Sequence, residues 1–231
     1  DDLELPEGNG FPGDCVGWNF VDENKSHKPE DTTGHGTHVA GIIAAVKNNN
    51  LGVAGFSNRI KILPVKVLKV QNSGRNPRRR RGTQQETPGS YIDRVAAGID
   101  YALLRGADVI NMSYGWTPKS NNNARSFEEI MRIVAESDTV FVAGAGNNNH
   151  NVPIFPCSYP GVICAGSIDI DGEVSKFSNY GSHVDFLAPG QEVISLFANG
   201  VPETKYPSSF DVAGLGRKSG TSQSAPFISG I

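Results

Sequence analysis

The amino-acid sequence predicts an α/β domain with three layers and a mostly parallel, doubly wound sheet. From residue 61 onward, short apolar runs alternate with stretches in which apolar residues recur at helical spacing. Because alternating strands and helices join through right-handed crossovers, the strands are expected to pair in parallel. A length of 231 residues with 38% hydrophobic content suits one globular domain over residues 1–231.

Four apolar runs are the predicted strands, at residues 62–68, 107–112, 139–143 and 162–168. A helix after the first run is indicated by apolar residues at helical spacing: Ile92, Val95, Ala96, Ile99, Ala102 and Leu103. Its expected N-cap is Ser90. A second helix is expected to open at the capping box of residues 126–129, with Phe127, Ile130 and Val134 facing inward.

Residues 71–90 interrupt this alternation with a polar segment that contains Arg78-Arg79-Arg80-Arg81. Charge runs usually stay in solvent, so we interpret the segment as a flexible surface insertion. A processing site is an alternative, because exposed basic loops are cut readily by proteases. A basic interaction module is another alternative, and unchanged partner binding after deletion of residues 75–81 would dispose of it.

The net charge and the composition limit the classes of partner that the protein is expected to bind. With 21 basic and 24 acidic residues the net charge is −3, which gives no general attraction to nucleic acid or to an anionic membrane. No run of 18 apolar residues exists, so no membrane span is expected.

The cysteines are Cys15, Cys157 and Cys164, and this odd number permits at most one internal disulfide. Cys164 lies in an apolar run and is interpreted as a small buried core residue.

Two glycine-flanked segments carry side chains suited to acyl transfer. In Gly34-His35-Gly36-Thr37-His38-Val39-Ala40-Gly41 a histidine stands near the start of a small-residue helix, where it can act as a general base. Asp31-Thr32-Thr33 supplies capping side chains before it. In Gly220-Thr221-Ser222-Gln223-Ser224-Ala225-Pro226 a serine stands at a helix N-terminus, beside free backbone N–H groups that can stabilise an oxyanion. Each segment alone is only suggestive.

Together the two segments resemble the histidine and serine signatures of the subtilisin-like serine proteases, the subtilases. Those signatures have the patterns H-G-T-H-V-A-G and G-T-S-x-[AS]-x-P. The resemblance implies that His35 is the general base and acid and that Ser222 is the nucleophile, whereas His38 and Ser224 match structural positions. It implies a sheet of subtilisin type and a serine endopeptidase that works through an acyl-enzyme.

The segments between them extend the resemblance over nearly the whole chain. Residues 143–147 are similar to the family pattern A-x-A-G-N, which implies that Asn147 donates to the oxyanion. The strand of residues 109–115 resembles the family strand that pairs with the substrate backbone. The substrate-binding residues implied in this way are Ser113, Tyr114, Gly115, Gly144, Ala145, Gly146 and Ile154. Ile154 is expected at the base of the first specificity pocket, and no acidic residue obviously faces it.

The family's aspartate, in a D-[ST]-G motif upstream of the histidine, has no match before His35. We expect that the sequence begins after this motif, and that residues 227–231 stop inside a helix. Without the aspartate, His35 lacks the partner that fixes its tautomer, so this stretch by itself is expected to be impaired. Loss of the strand that carries the motif would leave unpaired backbone groups, so we also expect residues 1–231 alone to fold poorly.

Further expectations follow from the resemblance alone. They are polypeptide substrates, synthesis as a zymogen with an inhibitory prodomain, secretion, and no cofactor for the chemistry. Structural calcium is also implied, and the turn of residues 48–52 lies where relatives often hold an ion.

Two other functions remain open. A non-catalytic relative would bind peptides in the cleft without cutting them. A serine hydrolase of the α/β-hydrolase fold would need G-x-S-x-G and the chain order Ser, acid, His. Here the order is His then Ser, and the serine lies in G-T-S-Q-S.

Overall fold

The computed structural model describes residues 10–21, 27–69, 88–117, 124–198 and 214–231. The predicted insertion falls largely outside these ranges. The helices are α1 (His35–Ala44), α2 (Pro88–Leu104), α3 (Ala124–Glu136) and α4 (Thr221–Ser229). The strands are β1 (Trp18–Asn19), β2 (Val65–Lys66), β3 (Val109–Met112), β4 (Val140–Gly144), β5 (Val162–Ile168), β6 (Phe186–Pro189), β7 (Val193–Leu196) and β8 (Leu215–Lys218).

The chain divides into two compact units. The first comprises Asp1–Glu30, Leu63–Arg105 and Ser120–Ile130, and the second comprises Asp31–Ile62, Gly106–Lys119 and Met131–Ile231. In the first unit β1 pairs in parallel with β2. Its apolar centre is aromatic, with the Phe11 ring 5.0 Å from Trp18 and 4.7 Å from Tyr101 between ring centroids.

The second unit contains a parallel sheet with the strand order β3-β4-β5-β6. The central strands β4 and β5 are apolar on both faces, as parallel strands covered by helices should be. Helix α4 packs on all four strands, and α1 packs on α4 and on β7. Three small core residues, Val142, Ala165 and Ala225, let α4 approach the sheet closely. The predicted α/β fold with a mostly parallel sheet is confirmed.

Most predicted elements exist, with shifted boundaries. β5 has the bounds predicted for it, whereas only two residues of the run 62–68 pair as a strand. α2 begins at Pro88 rather than after Ser90, because proline lacks the N–H that the first helical turn leaves unpaired. α3 begins at Ala124, so Ser126 lies inside the helix and does not cap it. The Ser126 hydroxyl donates instead to the Asp93 carboxylate.

One disulfide joins Cys157 to Cys164, and Cys15 is exposed and forms no disulfide. Cys164 is fully buried in β5, as predicted, but it is not the unpaired core thiol that its apolar neighbours indicated. The disulfide forms because the Cα atoms of Cys157 and Cys164 lie only 4.8 Å apart, a proximity that the apolar pattern does not encode. None of the helices in the described ranges is long and apolar enough to cross a membrane.

Candidate active site

The carboxylate of Asp31 holds the start of helix α1, where His35 is the first residue. Its Oδ1 accepts hydrogen bonds from the backbone N–H groups of Thr33 and Gly34, each at 2.9 Å. Its Oδ2 accepts from the backbone N–H and the hydroxyl of Thr37, each at 2.8 Å. Both carboxylate oxygens therefore satisfy groups around the helix N-terminus, and the predicted capping role of Asp31 is confirmed.

These hydrogen bonds determine the charge of Asp31. Partial burial by itself would raise the pKa of the carboxyl group, but the donors from Thr37 and Thr33 outweigh burial and hold the pKa below its ordinary value. The anion also lies at the positive end of α1, which favours it further. A negative charge thus persists four residues before His35.

Burial lowers the pKa of His35, and the positive charge of Lys218 lowers it further, whereas Asp31 raises it. The Lys218 ammonium lies over the Phe197 ring, 5.1 Å from the centroid. The same ring packs against Gly34, where an added Cβ would approach ring atoms to 2.6 Å. Because burial and Lys218 together hold its pKa below the ordinary value, His35 is neutral around neutral pH, as a general base must be.

His38, the other histidine of the segment, is fully buried. Its Nε2 lies 3.0 Å from the carbonyl oxygen of Val193 and 3.2 Å from that of Gly216. Burial above all lowers its pKa to about 4, even though these carbonyl contacts raise it. A neutral ring fixed between β7 and β8 suits the structural position that the sequence resemblance implied for His38.

Ser222 is the second residue of helix α4. Its hydroxyl donates to the carbonyl oxygen of Ser113 at 3.1 Å, and the hydroxyl of Ser113 donates in return to the carbonyl oxygen of Ser222 at 2.8 Å. Within the described ranges, no hydrogen bond joins the ring of His35 to Ser222.

Asn147 is tied directly to the residue that precedes Ser222. Its Oδ1 accepts the backbone N–H of Thr221 at 2.8 Å and the Thr221 hydroxyl lies 3.1 Å from the same oxygen. That hydroxyl also accepts the backbone N–H of Gly146 at 3.0 Å. Because a backbone N–H can only donate, the oxygen of the Asn147 amide must face Thr221, and the exposed Nδ2–H₂ group is left to donate elsewhere.

Ile154 lies between the two glycine segments that were predicted as pocket walls. A Cβ added to Gly115 would approach Ile154 Cγ2 to 2.7 Å, and one added to Gly146 would approach Ile154 Cγ1 to 3.1 Å. The neighbours Trp116 and Phe155 pair as an antiparallel bridge, with N–H···O distances of 2.7 and 2.9 Å. Side chains are thus excluded at both glycines, because Ile154 lies close to each of them.

The remaining predicted pocket residues differ in whether their side chains can contact a ligand. Tyr114 is half-buried beside Gly115. The side chain of Ala145 is fully buried and its N–H donates to Ala165, so Ala145 cannot present its side chain to a ligand. Gly144 ends β4, and an added Cβ there would lie 2.9 Å from the hydroxyl oxygen of Thr221. Glycine is therefore required at position 144 to admit the start of α4.

Two residues of this site were not among the predicted site residues. Thr221 connects Asn147 to the start of α4, and its signals in the sequence were its place directly before Ser222 and its match to the threonine of the G-T-S pattern. Lys218 affects His35 through space, and it lies four residues before Ser222 at the end of β8. Nothing in the sequence pattern indicated that β8 ends near α1, because that proximity is a long-range feature of the fold.

The turn at residues 48–52, where the resemblance implied an ion, has polar groups that bind within the chain. Its Asn49 Oδ1 accepts the N–H of Leu51 at 3.0 Å. The Lys47 ammonium donates to the carbonyl oxygen of Phe56 beside the turn, and this positive charge would repel a divalent cation. Among the described residues, no group of three or more His, Cys, Asp or Glu side chains is placed to hold a metal ion.

Comparison with known proteins gives consistent matches. Residues 13–231 match the subtilase family. Thermitase of Thermoactinomyces vulgaris is 36% identical over 93% of this chain and 64% of its own length. The major intracellular serine protease of Bacillus subtilis (strain 168) is 32% identical over 93% of this chain and 59% of its own length. A cold-adapted subtilisin-like serine proteinase has a similar crystal structure, with a TM-score of 0.67 and 26% identity over 93% of this chain and 64% of that chain. This chain therefore spans somewhat less than two thirds of these relatives, and it belongs to the subtilase family.

Proposed function

We propose that the protein containing this chain is a serine endopeptidase, with Ser222 as nucleophile, His35 as general base and acid, and Asn147 in the oxyanion hole. The observation that carries the proposal is the orientation of the Asn147 amide. Thr221 occupies its oxygen, so its N–H₂ group is the part left to donate, next to the residue that precedes Ser222. A preorganised donor beside a serine at a helix N-terminus is the arrangement that stabilises a developing oxyanion.

The reaction proceeds in two acyl-transfer steps. Ser222 Oγ attacks the carbonyl carbon of the scissile peptide bond while its proton passes to His35, and the carbonyl oxygen becomes an oxyanion held by Asn147 and by the Ser222 N–H. His35 then gives the proton to the leaving amine as the C–N bond breaks. Water, deprotonated by His35, attacks the acyl-enzyme, and the proton returns to Ser222 Oγ as the carboxylic acid leaves.

The first step requires a rotation of the Ser222 side chain. Its hydroxyl donates to the Ser113 carbonyl in the resting state, so Oγ must turn toward His35 before it can lose its proton. This turn is a change of side-chain rotamer about the Cα–Cβ bond of Ser222. The lowered pKa of His35 supports the base role, because the imidazole is neutral when the serine turns to it.

Among the described residues, Asp31 is a carboxylate that acts on His35, but its bonding does not suit the triad aspartate. Both of its oxygens accept hydrogen bonds from the helix start, and its effect on His35 is electrostatic. We therefore assign Asp31 to holding α1, and we assign no residue of this chain as the acid that orients His35.

We further propose that the first specificity pocket lies between Gly115 and Gly146 and prefers uncharged side chains at the residue whose carbonyl is attacked. Ile154, which lies close to both glycines, would form the base of this pocket, and an apolar base would leave a charged group without a partner. A panel of peptides varied at that residue measures this preference. Faster cleavage after Lys or Arg than after apolar residues would contradict it.

Fluorophosphonate labelling of the complete protein tests the proposed activity. Wild-type protein should be labelled and should cleave peptides, whereas Ser222→Ala should do neither. A folded, fully processed wild-type protein that is not labelled would instead favour the non-catalytic relative that binds peptides in the cleft.

Secretion, an inhibitory prodomain and structural calcium remain predictions from family resemblance. One of the relatives above is named as intracellular, so resemblance supports either location. Calcium binding is measured by the melting temperature of the complete protein with and without a chelator, and we assign no ligands to the ion.

A further inference from the structure

A proline interrupts the hydrogen bonding of helix α4 four residues after Ser222. In an α-helix the N–H of residue 226 would donate to the carbonyl oxygen of residue 222. Pro226 has no N–H, so the helix leaves the Ser222 carbonyl oxygen without its usual donor. A carbonyl group in this partly buried position needs another partner, because an unsatisfied buried acceptor is costly.

The hydroxyl of Ser113 is that partner, at 2.8 Å from the Ser222 carbonyl oxygen. Ser113 is 7% exposed and directly follows strand β3. Its Oγ in turn accepts a hydrogen bond from Nδ2 of Asn111 at 2.9 Å, which directs the Ser113 proton toward Ser222. The Oδ1 of Asn111 lies 3.0 Å from the hydroxyl oxygen of Ser229, whose single proton is shared between this acceptor and the carbonyl oxygen of Ala225 at 3.1 Å.

These four residues form a continuous polar chain between β3 and α4. Ser229 is the last residue of α4, about two turns beyond Ser222. These polar contacts therefore join α4 to β3 near both ends of the helix, through Ser113 at the start of α4 and through Asn111 at its end. The attachment at the start acts on the backbone of the proposed nucleophile itself.

We propose that Ser113 is a positioning residue for Ser222: by donating to the carbonyl oxygen that Pro226 leaves unbonded, it fixes the backbone that presents the nucleophile and its oxyanion-binding N–H. This inference rests on the proposed function of Ser222. It adds a role for the Ser113 side chain, which is distinct from backbone contacts of the same residue with substrate.

A double-mutant cycle with Ser113→Ala and Pro226→Ala in the complete protein tests the inference. Ser113→Ala should lower kcat about tenfold and change KM by less than about twofold, because one partly buried hydrogen bond to the nucleophile's backbone is lost. Pro226→Ala restores an N–H that can donate to the same carbonyl oxygen. In that background Ser113→Ala should therefore lower kcat by only about twofold.

Ser224→Ala is the matched control. It also removes a buried serine hydroxyl that donates to a backbone carbonyl in the same unit, at 3.1 Å from Ala188, but it leaves Ser222 untouched. Its kcat should stay within about twofold of wild type, at a similar loss of thermal stability. Activities are divided by the concentration of fluorophosphonate-reactive sites, so a misfolded fraction does not mimic a positioning defect.

Three outcomes separate the possibilities. Wild-type protein that neither labels nor cleaves overturns the proposed function and this inference with it. Wild-type protein that labels and cleaves, with kcat unchanged in Ser113→Ala, overturns the inference alone. An equal loss of kcat in Ser113→Ala with and without Pro226 also overturns it, because the two changes would then act independently.

Discussion

The backbone N–H of Thr221 donates to Oδ1 of Asn147 at 2.8 Å, which fixes the side-chain amide of Asn147 in one orientation. The amide cannot be turned over without placing two N–H donors against each other. Residues 74 positions apart in sequence are joined in this way. The orientation of the proposed oxyanion donor is therefore set by the residue next to the proposed nucleophile.

Replacing Asn147 by alanine is expected to lower kcat by about 10²–10³, with little change in KM, because the donor acts mainly on the transition state. A subtilisin that loses its oxyanion-hole asparagine shows a loss of this size. Steady-state hydrolysis of a chromogenic peptide measures it. Asn147→Asp, of the same size but lacking the N–H₂ group, should be similarly impaired, and near-normal turnover in either variant would argue against the oxyanion role.

Thr221→Val keeps the backbone N–H but removes the hydroxyl that joins Asn147 to Gly146. We expect a loss of roughly tenfold in kcat, since one of two contacts that orient the amide disappears. Thr221→Ser retains the hydroxyl and should stay near wild type. If the two variants turned over peptide equally well, the hydroxyl would have no part in orienting Asn147.

Removing the charge of Lys218 should change the pH profile. Burial and Lys218 both lower the pKa of His35, and the base is active only when it is neutral. In Lys218→Met the pKa of His35 therefore rises, and the acidic limb of kcat/KM moves to higher pH. Lys218→Arg retains the charge and is the control. An acidic limb that does not move in Lys218→Met would show that this limb does not report His35.

His38 should make stability depend on pH. Burial lowers its pKa to about 4 in the folded protein, from 6.5 for a free histidine, so the unfolded chain binds more protons between these values. The free energy of unfolding should therefore fall as pH drops from 6.5 toward 4, by up to about 3 kcal/mol from this residue. Urea unfolding at several pH values measures the fall. His38→Gln should be less stable at neutral pH but should lose less stability on acidification, and an unchanged slope would contradict the assignment.

The Cys157–Cys164 disulfide closes a short loop against the central sheet, with a sequence separation of 7. Because the stabilisation grows with loop length, replacing both cysteines by alanine should lower the free energy of unfolding by only about 2 kcal/mol. Thermal melts of wild type and the double variant test this, and Cys15→Ala is the control because Cys15 forms no disulfide. A reductant should destabilise wild type but leave the double variant unchanged.

The sequence indicated the elements that depend on local pattern. The apolar run of β5 and the helical spacing of α2 reflect burial on one or more faces, which periodicity records directly. The predicted starts of the helices were less accurate, since Ser126 binds Asp93 rather than capping α3. A side chain that caps in one context can bind a neighbouring element in another, and the short pattern is the same in both cases.

The motifs of His35, Ser222 and Asn147 were also accessible from the sequence, because their glycines and small residues resemble a family pattern. The bonds among these segments were not. The tertiary structure alone decided that Thr221 orients Asn147, that Lys218 acts on His35, and that Ser113 donates to the carbonyl that Pro226 leaves free. Residue types and local periodicity determine which elements form, whereas contacts between residues distant in sequence depend on how the chain packs, which local patterns do not encode.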